Sequence, residues 1–230
     1  MRRTELDERL STAAKYVRQG AVFADIGTDH AYLPLFLLEN GVIPHAYAAD
    51  IAEGPLSRAR RAVSERGCLE KVTLLLANGL CGMEALGLTD IAICGMGGET
   101  VVEILRAAPF VKRAGVRLIL QPMSRLGILR RYLAEEGFCI EEETPVEAAG
   151  KRYACLCVSY DGVPREFSRA EYELGEYNLK NPSRIFTEML KQAHRAQKKK
   201  VLGIRAGGEK NEEEEAYLCR LAELVRLYDC

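Results

Sequence analysis

Apolar and polar residues follow two alternating periods up to about Ser159. Over residues 5–18, Leu6, Leu10, Ala13, Ala14 and Val17 recur at helical spacing and predict a helix. AVFADIG (21–27) predicts a buried strand and 31–39 a helix. HAYAADI (45–51) follows as a second strand, then a helix from about Pro55 to Arg66. Pro55 suits a first helical turn, where no N–H partner is needed. KVTLLLANG, TDIAICGMGG and RLILQP supply three further strands, with helices predicted over 101–107 and 127–135. FCIEEETPVEAAGKRYACLCVSY predicts two antiparallel strands that turn near Gly150. Strands alternating with helices and closed by a hairpin imply an open α/β sheet with a late antiparallel strand.

The tail has a different period, so the chain reads as an α/β domain over 1–160 and a small helical domain over 161–230. Residues 184–200 space Ile185, Phe186, Met189, Leu190 and Ala193 as one helical face. Their other face is basic, with Arg184, Lys191, Arg195 and Lys198 to Lys200 against Glu188. GIRAGGEKN (203–211) predicts a hinge. The following segment puts Leu218, Leu221, Val225 and Tyr228 on one stripe, behind acids that suit a helix N-terminus. The result is a helical hairpin.

Composition narrows the function classes. A net charge of −1 provides no overall basic field, although local patches remain compatible with it. The eight cysteines contain no C-x-x-C and lie mostly in apolar runs. They read as small core residues of a reduced, cytoplasmic protein with no metal site, and Cys155 and Cys157 share one face of a predicted strand. MRRTELDERL lacks the apolar stretch of a signal peptide, and no window approaches the roughly eighteen apolar residues of a membrane span.

The chemistry gathers at predicted strand ends. In DIGTDH (25–30), Gly27 permits a tight turn and close approach of a ligand to the backbone. The fingerprint G-x-G-x-x-G is absent, and Asp29 stands where its second glycine belongs. A carboxylate there would repel a pyrophosphate, which argues against NAD or ATP. It suits a cofactor that brings positive charge, such as S-adenosylmethionine. Asp50, ending the second strand, can accept both hydroxyl protons of a ribose. Asn78 offers an amide to an adenine edge, beside Gly79 and Leu80. Gly95-Met96-Gly97-Gly98 leaves space where a flat base could enter, and no Asp/Asn-Pro-Pro-aromatic motif follows that strand. Taken singly, Asp25 could be a turn-former, Asp50 a helix cap and His30 a packing residue. Taken in order, these strand ends surround one adenosyl ligand.

DIGTDHAYLP (25–34), Asn78-Gly79-Leu80, CGMGG (94–98) and LQP (120–122) together resemble the bacterial tRNA methyltransferases that modify N1 of adenine 22. The resemblance covers essentially the whole chain. It implies a Rossmann-like methyltransferase domain followed by a small coiled-coil domain, with S-adenosyl-L-methionine as cofactor and tRNA, not DNA, as partner. It also implies that Asp25, Gly27, Asp29, Asp50, Asn78 and Gly95 line the pocket, with Asp29 contributing to catalysis. Thr28, His30, Ile51, Gly79, Leu80, Met96 and Gly97 complete the expected cofactor contacts. Candidates to hold RNA phosphate are Arg2, Arg3, Arg9, Lys15, Arg18, Arg58, Arg61, Lys191 and Arg195, each group alone also reading as a solvated helix face. A monomer is expected, with a weak dimer through the hairpin as the variant. The family often has Asn where Met123 stands, and its coiled coil is usually longer. Methylation of another RNA or a small molecule, and noncatalytic RNA binding around a relict pocket, are the competing readings.

Overall fold

The predicted strands pair into one seven-stranded sheet in the computed structural model, which describes residues 4–228. In chain order they are β1 (Phe23–Ile26), β2 (Ala46–Asp50), β3 (Val72–Leu76), β4 (Asp90–Gly97), β5 (Arg117–Ser124), β6 (Phe138–Ala148) and β7 (Lys151–Tyr160). Across the sheet the order is β3-β2-β1-β4-β5-β7-β6. β1 to β5 are parallel, and β7 runs antiparallel between β5 and β6. Between β6 and β7, Ala149 and Gly150 have φ of 49° and 71°. Positive φ at both central residues gives a tight loop the twist its flanking strands require.

Helices cover both faces: α1 (Glu8–Tyr16), α2 (Tyr32–Glu39), α3 (Glu53–Glu65), α4 (Gly98–Arg106) and α5 (Leu126–Glu135). The strand period of two sorts the core accordingly. Ala24, Ile91, Ile93, Leu118 and Leu156 pack with Val101 and Leu105 of α4 and Leu129 and Leu133 of α5. Phe23, Ala92, Ile119, Cys155 and Cys157 pack instead with Ala13 of α1 and Leu33 and Leu37 of α2. A third cluster joins Leu35 of α2 to Ala59 and Val63 of α3. The two cysteines of β7 do share a face, and burial pushes both thiols upward, Cys157 to about 12.

α1 is shorter than the spacing suggested. Asp7 caps it by accepting from the Leu10 N–H at 2.9 Å, and Val17 leaves it in an extended conformation. The helix lies against β6 and β7, where the Tyr16 hydroxyl meets the Thr144 hydroxyl at 2.7 Å and the Arg9 guanidinium sits 5.5 Å from the Tyr153 ring. Arg18 is withdrawn from the candidate phosphate contacts. Its guanidinium donates to the fully buried Asp90 at 2.6 Å and to the carbonyls of Thr89 and Gly115 at 2.7 Å, at the amino-terminal ends of β4 and β5. Arg2 and Arg3 lie outside the described residues.

The chain divides into two compact units, Met1–Arg165 and Glu166–Cys230. In the second, α6 (Arg169–Leu174) and α7 (Glu176–Lys180) precede α8 (Arg184–Ala206) and α9 (Glu212–Tyr228). The expected hinge starts too early, because α8 carries GIRA as helix and only 207–211 turn. The stripe on α9 is also shifted: Leu224 is buried with Leu221, Phe186 and Leu190, whereas Leu218 stands outside that cluster. Within the basic stretch, Lys200 donates to Glu214 at 2.8 Å. That contact, with Gln197 and Arg169, holds the Glu214 carboxyl down at about 2. Among the described residues no helix is long and apolar enough to cross a membrane.

One buried ion pair braces the sheet edge: Arg130 of α5 grips Glu143 of β6, both almost wholly out of solvent. Removing one partner of such a pair strands a charge, whereas replacing both by apolar groups does not. Glu143→Ala should lower unfolding free energy by about 3–5 kcal/mol in urea titrations, and Arg130→Met with Glu143→Leu should cost much less.

Candidate active site

Strand order reverses between β1 and β4, so the crevice where open α/β sheets bind ligands falls at the carboxyl ends of these strands. Two cavities open there on opposite faces of the sheet. The larger, about 480 Å³, is walled by α1 and α2 and takes in Asp25, Thr28, Asp29, His30, Gly95 and Gln121. The smaller, about 380 Å³, lies toward α4 and takes in Asp50, Ile51, Asn78, Gly79 and Met96. Gly27 borders both. Its φ is 76°, left-handed backbone that favours glycine where the cavities meet, and the flexible end of the Met96 side chain lies against it.

Beyond β1 the loop is wound tightly. Asp29 and Ala31 also have positive φ, 45° and 54°, before α2 begins at Tyr32. Left-handed backbone costs a non-glycine residue of order 1–2 kcal/mol. The turn carries Asp29 to the cavity wall. The Arg58 guanidinium, from α3, donates to Asp29 Oδ1 at 2.5 and 2.9 Å, and His30 Nε2 lies 3.6 Å from Oδ2. Arg58 is therefore corrected from phosphate contact to partner of Asp29.

Asp25 is the site's most constrained charge. It is 5% exposed, and its one hydrogen bond shown is from Thr28 Oγ1 to Oδ2 at 2.7 Å. Burial, with a smaller contribution from the charge of Asp50, pushes its carboxyl up to about 6 against the pull of the Thr28 hydrogen bond. Asp50 Oδ1 accepts from the Ala52 N–H at 3.1 Å, a local turn before α3; the helix itself starts from Ala52 with no side-chain cap, so Asp50 is not its cap.

A protein-family profile described as a methyltransferase domain matches residues 6–156. The tRNA (adenine(22)-N(1))-methyltransferase of Bacillus subtilis strain 168 is 35% identical over 170 residues, 71% of this chain and 71% of the relative. The chain belongs to the tRNA (adenine(22)-N(1))-methyltransferase family. The crystal structure of the Bacillus subtilis m1A22 tRNA methyltransferase TrmK matches with a TM-score of 0.82 at 29% identity, covering 97% of both chains. A Streptococcus pneumoniae protein, provisionally assigned as a tRNA (m1A22) methyltransferase and crystallised with S-adenosyl-L-methionine, matches with a TM-score of 0.84 at 32% identity. That match covers 96% of this chain and all (100%) of the relative.

Some expected contacts of this family member fall elsewhere. Leu80 turns into the core beneath its loop, and Gly97 borders neither cavity. The open space expected along GMGG exists at Gly95, where a Cβ would meet nothing within 4 Å. Gly98 is instead packed tightly, with the Arg125 carbonyl oxygen 2.4 Å from where its Cβ would stand. Of the basic candidates, Arg9 forms part of the larger cavity's wall and bonds Asp7. Lys15 is exposed on α1, and Arg61 pairs across a turn of α3 with Glu65 at 3.8 Å. Lys191 lies beside Glu188 at 3.6 Å, and Arg195 is exposed on α8.

Sequence reasoning missed the contribution of the amino-terminal segment to the cavity wall, through Glu5 and Asp7 before α1 and Leu10 within it, and that of α4, through Thr100, Glu103 and Ile104. It also missed Gln121, fully buried with its amide donating to the Pro122 carbonyl at 3.0 Å. Met123 borders neither cavity and packs its sulfur on Arg9.

The elevated Asp25 pKa has a definite sign in stability. The folded state holds that proton more tightly than the unfolded chain, so stability falls as pH rises from about 4 through about 6 and stays lower above. Asp25→Asn should therefore stabilise the ligand-free protein by roughly 3 kcal/mol near pH 7.5 and by little near pH 4, read as melting temperature at the two pH values.

Proposed function

We propose that this chain transfers the methyl group of S-adenosyl-L-methionine to N1 of adenine 22 in tRNA. Asp25 carries this reading beyond family membership: a buried carboxylate facing a cavity is stabilised by a cationic ligand and disfavours a phosphate. The Bacillus subtilis relative bears that activity in its name, and the Streptococcus pneumoniae relative was crystallised with the cofactor.

The residues fit the cofactor group by group. Asp25 and Thr28 suit the charged amino acid end, and Gly27 and Gly95 leave backbone open for the middle of the molecule. Asp50 presents a carboxylate to ribose hydroxyls, while Ile51, 68% exposed, and Asn78 offer an apolar face and an amide to adenine. The cofactor supplies an electrophilic methyl group.

The protein's remaining task is to hold the acceptor. Adenine N1 lies on the Watson–Crick edge, so the base must be unpaired or flipped out. N1 already has an in-plane lone pair, so no base need act first. As N1 gains the methyl group, positive charge spreads over the ring and the N6 amine. Asp29 answers that charge and accepts N6–H, with Arg58 fixing one carboxylate oxygen and leaving the other toward His30. Positioning and such preset electrostatics supply much of the acceleration in transfers of this kind. Arg9, Lys15, Arg61, Lys191 and Arg195 remain for RNA phosphate, with Glu166–Cys230 as the RNA- or self-binding module of a cytoplasmic enzyme.

Purified protein incubated with unmodified tRNA and labelled cofactor, followed by nucleoside mass spectrometry, should yield 1-methyladenosine at position 22, lost when that base is changed. Label elsewhere would retain the enzyme and discard this target. Asp29→Ala should lower turnover roughly 100-fold or more without unfolding the protein. Asp50→Ala should weaken calorimetric affinity for the cofactor about ten-fold or more.

A further inference from the structure

The wall of the larger cavity carries an aromatic feature that cofactor binding leaves unexplained. Tyr32 is 46% exposed, the only aromatic ring among the strongly exposed large hydrophobic side chains of the described residues. Its ring lies 5.1 Å from that of His30 with only 7° between their planes. Both rings border the cavity that also contains Asp29.

The local backbone creates this pair. The left-handed turn at Ala31 separates His30 from Tyr32 and starts α2 at the tyrosine, bringing two side chains of nearby residues face to face. His30 in turn lies beside Asp29, which Arg58 holds, so the stack is anchored through a chain of half-exposed polar contacts. A tyrosine exposed only to water would gain nothing from such anchoring. A third planar ring laid on it would gain apolar burial with little side-chain ordering left to do.

Resting on the proposed methylation of an RNA adenine, we infer that Tyr32 is the platform on which the unpaired target base stacks, extending the His30–Tyr32 pair. A base lying there shares the cavity with Asp29, the group assigned to the N6 amine. Stacking is blind to base identity because every base has a π-face, so Tyr32 supplies affinity and orientation while polar groups select adenine. Nothing in this assignment requires Tyr32 to touch the cofactor.

The test compares wild type, Tyr32→Ala and Tyr32→Phe in steady-state methyl transfer to a tRNA transcript, with cofactor affinity measured by calorimetry. Alanine should raise KM for tRNA about ten-fold or more, and phenylalanine should restore it, since the ring is kept and only the hydroxyl is lost. Cofactor affinity should stay within about two-fold in both variants, which also shows that they fold. A transcript carrying fluorescent 2-aminopurine at the target position should be quenched by wild type and brighter with the alanine variant. Unchanged KM and unchanged quenching for alanine overturn the platform. So does equal loss in both variants, which would make the hydroxyl the active part, or a matching fall in cofactor affinity. If wild type itself methylates no tRNA, the proposed function fails first and the platform falls with it, a result distinct from an active wild type indifferent to Tyr32.

Discussion

Two parallel crossovers leave β1 and β4 toward opposite faces of one sheet, α2 to one side and α4 to the other. No connection can then cover the carboxyl ends of both strands, and a crevice is left by topology rather than carved by side chains. The two cavities are the two sides of that crevice. Each inherits the character of its surroundings: ionisable groups from the loop before α2 in one, and a mixed wall of Thr100, Glu103 and Ile104 from α4 in the other. Gly27 is the narrow point at which an elongated molecule would pass from one face to the other.

The same geometry explains why the costly features concentrate in seven consecutive residues, Asp25 to Ala31. Asp25 is the penultimate residue of a strand buried on both faces, so its carboxylate has lost water while gaining a side-chain hydrogen bond from Thr28. Two residues with left-handed backbone follow within the next turn. Such local penalties persist where the surrounding structure over-determines them, and they concentrate at functional sites. Here rigidity and electrostatic demand share one loop.

Much of this was legible from residue order. Strand runs alternating with helical ones announced an open α/β sheet with a late antiparallel strand, and DIGTDH announced a ligand loop without the glycines that phosphate requires. What failed did so for tertiary reasons. Arg18 and Arg58 look alike as surface helix or loop charges, yet one satisfies a buried aspartate and the other holds Asp29, and neither partner is near in sequence. GMGG reads as uniformly open, although Gly98 is glycine because the backbone at Arg125 presses on it. The hinge of the helical unit was placed at the first glycine. Gly203 costs a helix only about 1 kcal/mol relative to alanine, and a long amphipathic helix absorbs that. Leu218 and Leu224 exchanged roles because two helical spacings fit the same leucines.

The placement of α1 bears on how the chain is made. This first helix rests on β6 and β7, the last strands, and supplies one wall of the larger cavity. β5 likewise waits for β7, which inserts between it and the earlier-made β6. The β6–β7 ribbon, joined by a tight turn, forms from neighbouring residues, whereas its docking closes a loop spanning nearly the whole sheet-forming unit. During synthesis the amino-terminal helix can pack on β1, α2, β4 and β5 first, but its contacts with β6 and β7 form only once those strands have emerged. The residues lining both cavities are all made by Gln121, and what the last strands add is the backing that holds α1 as one of the walls.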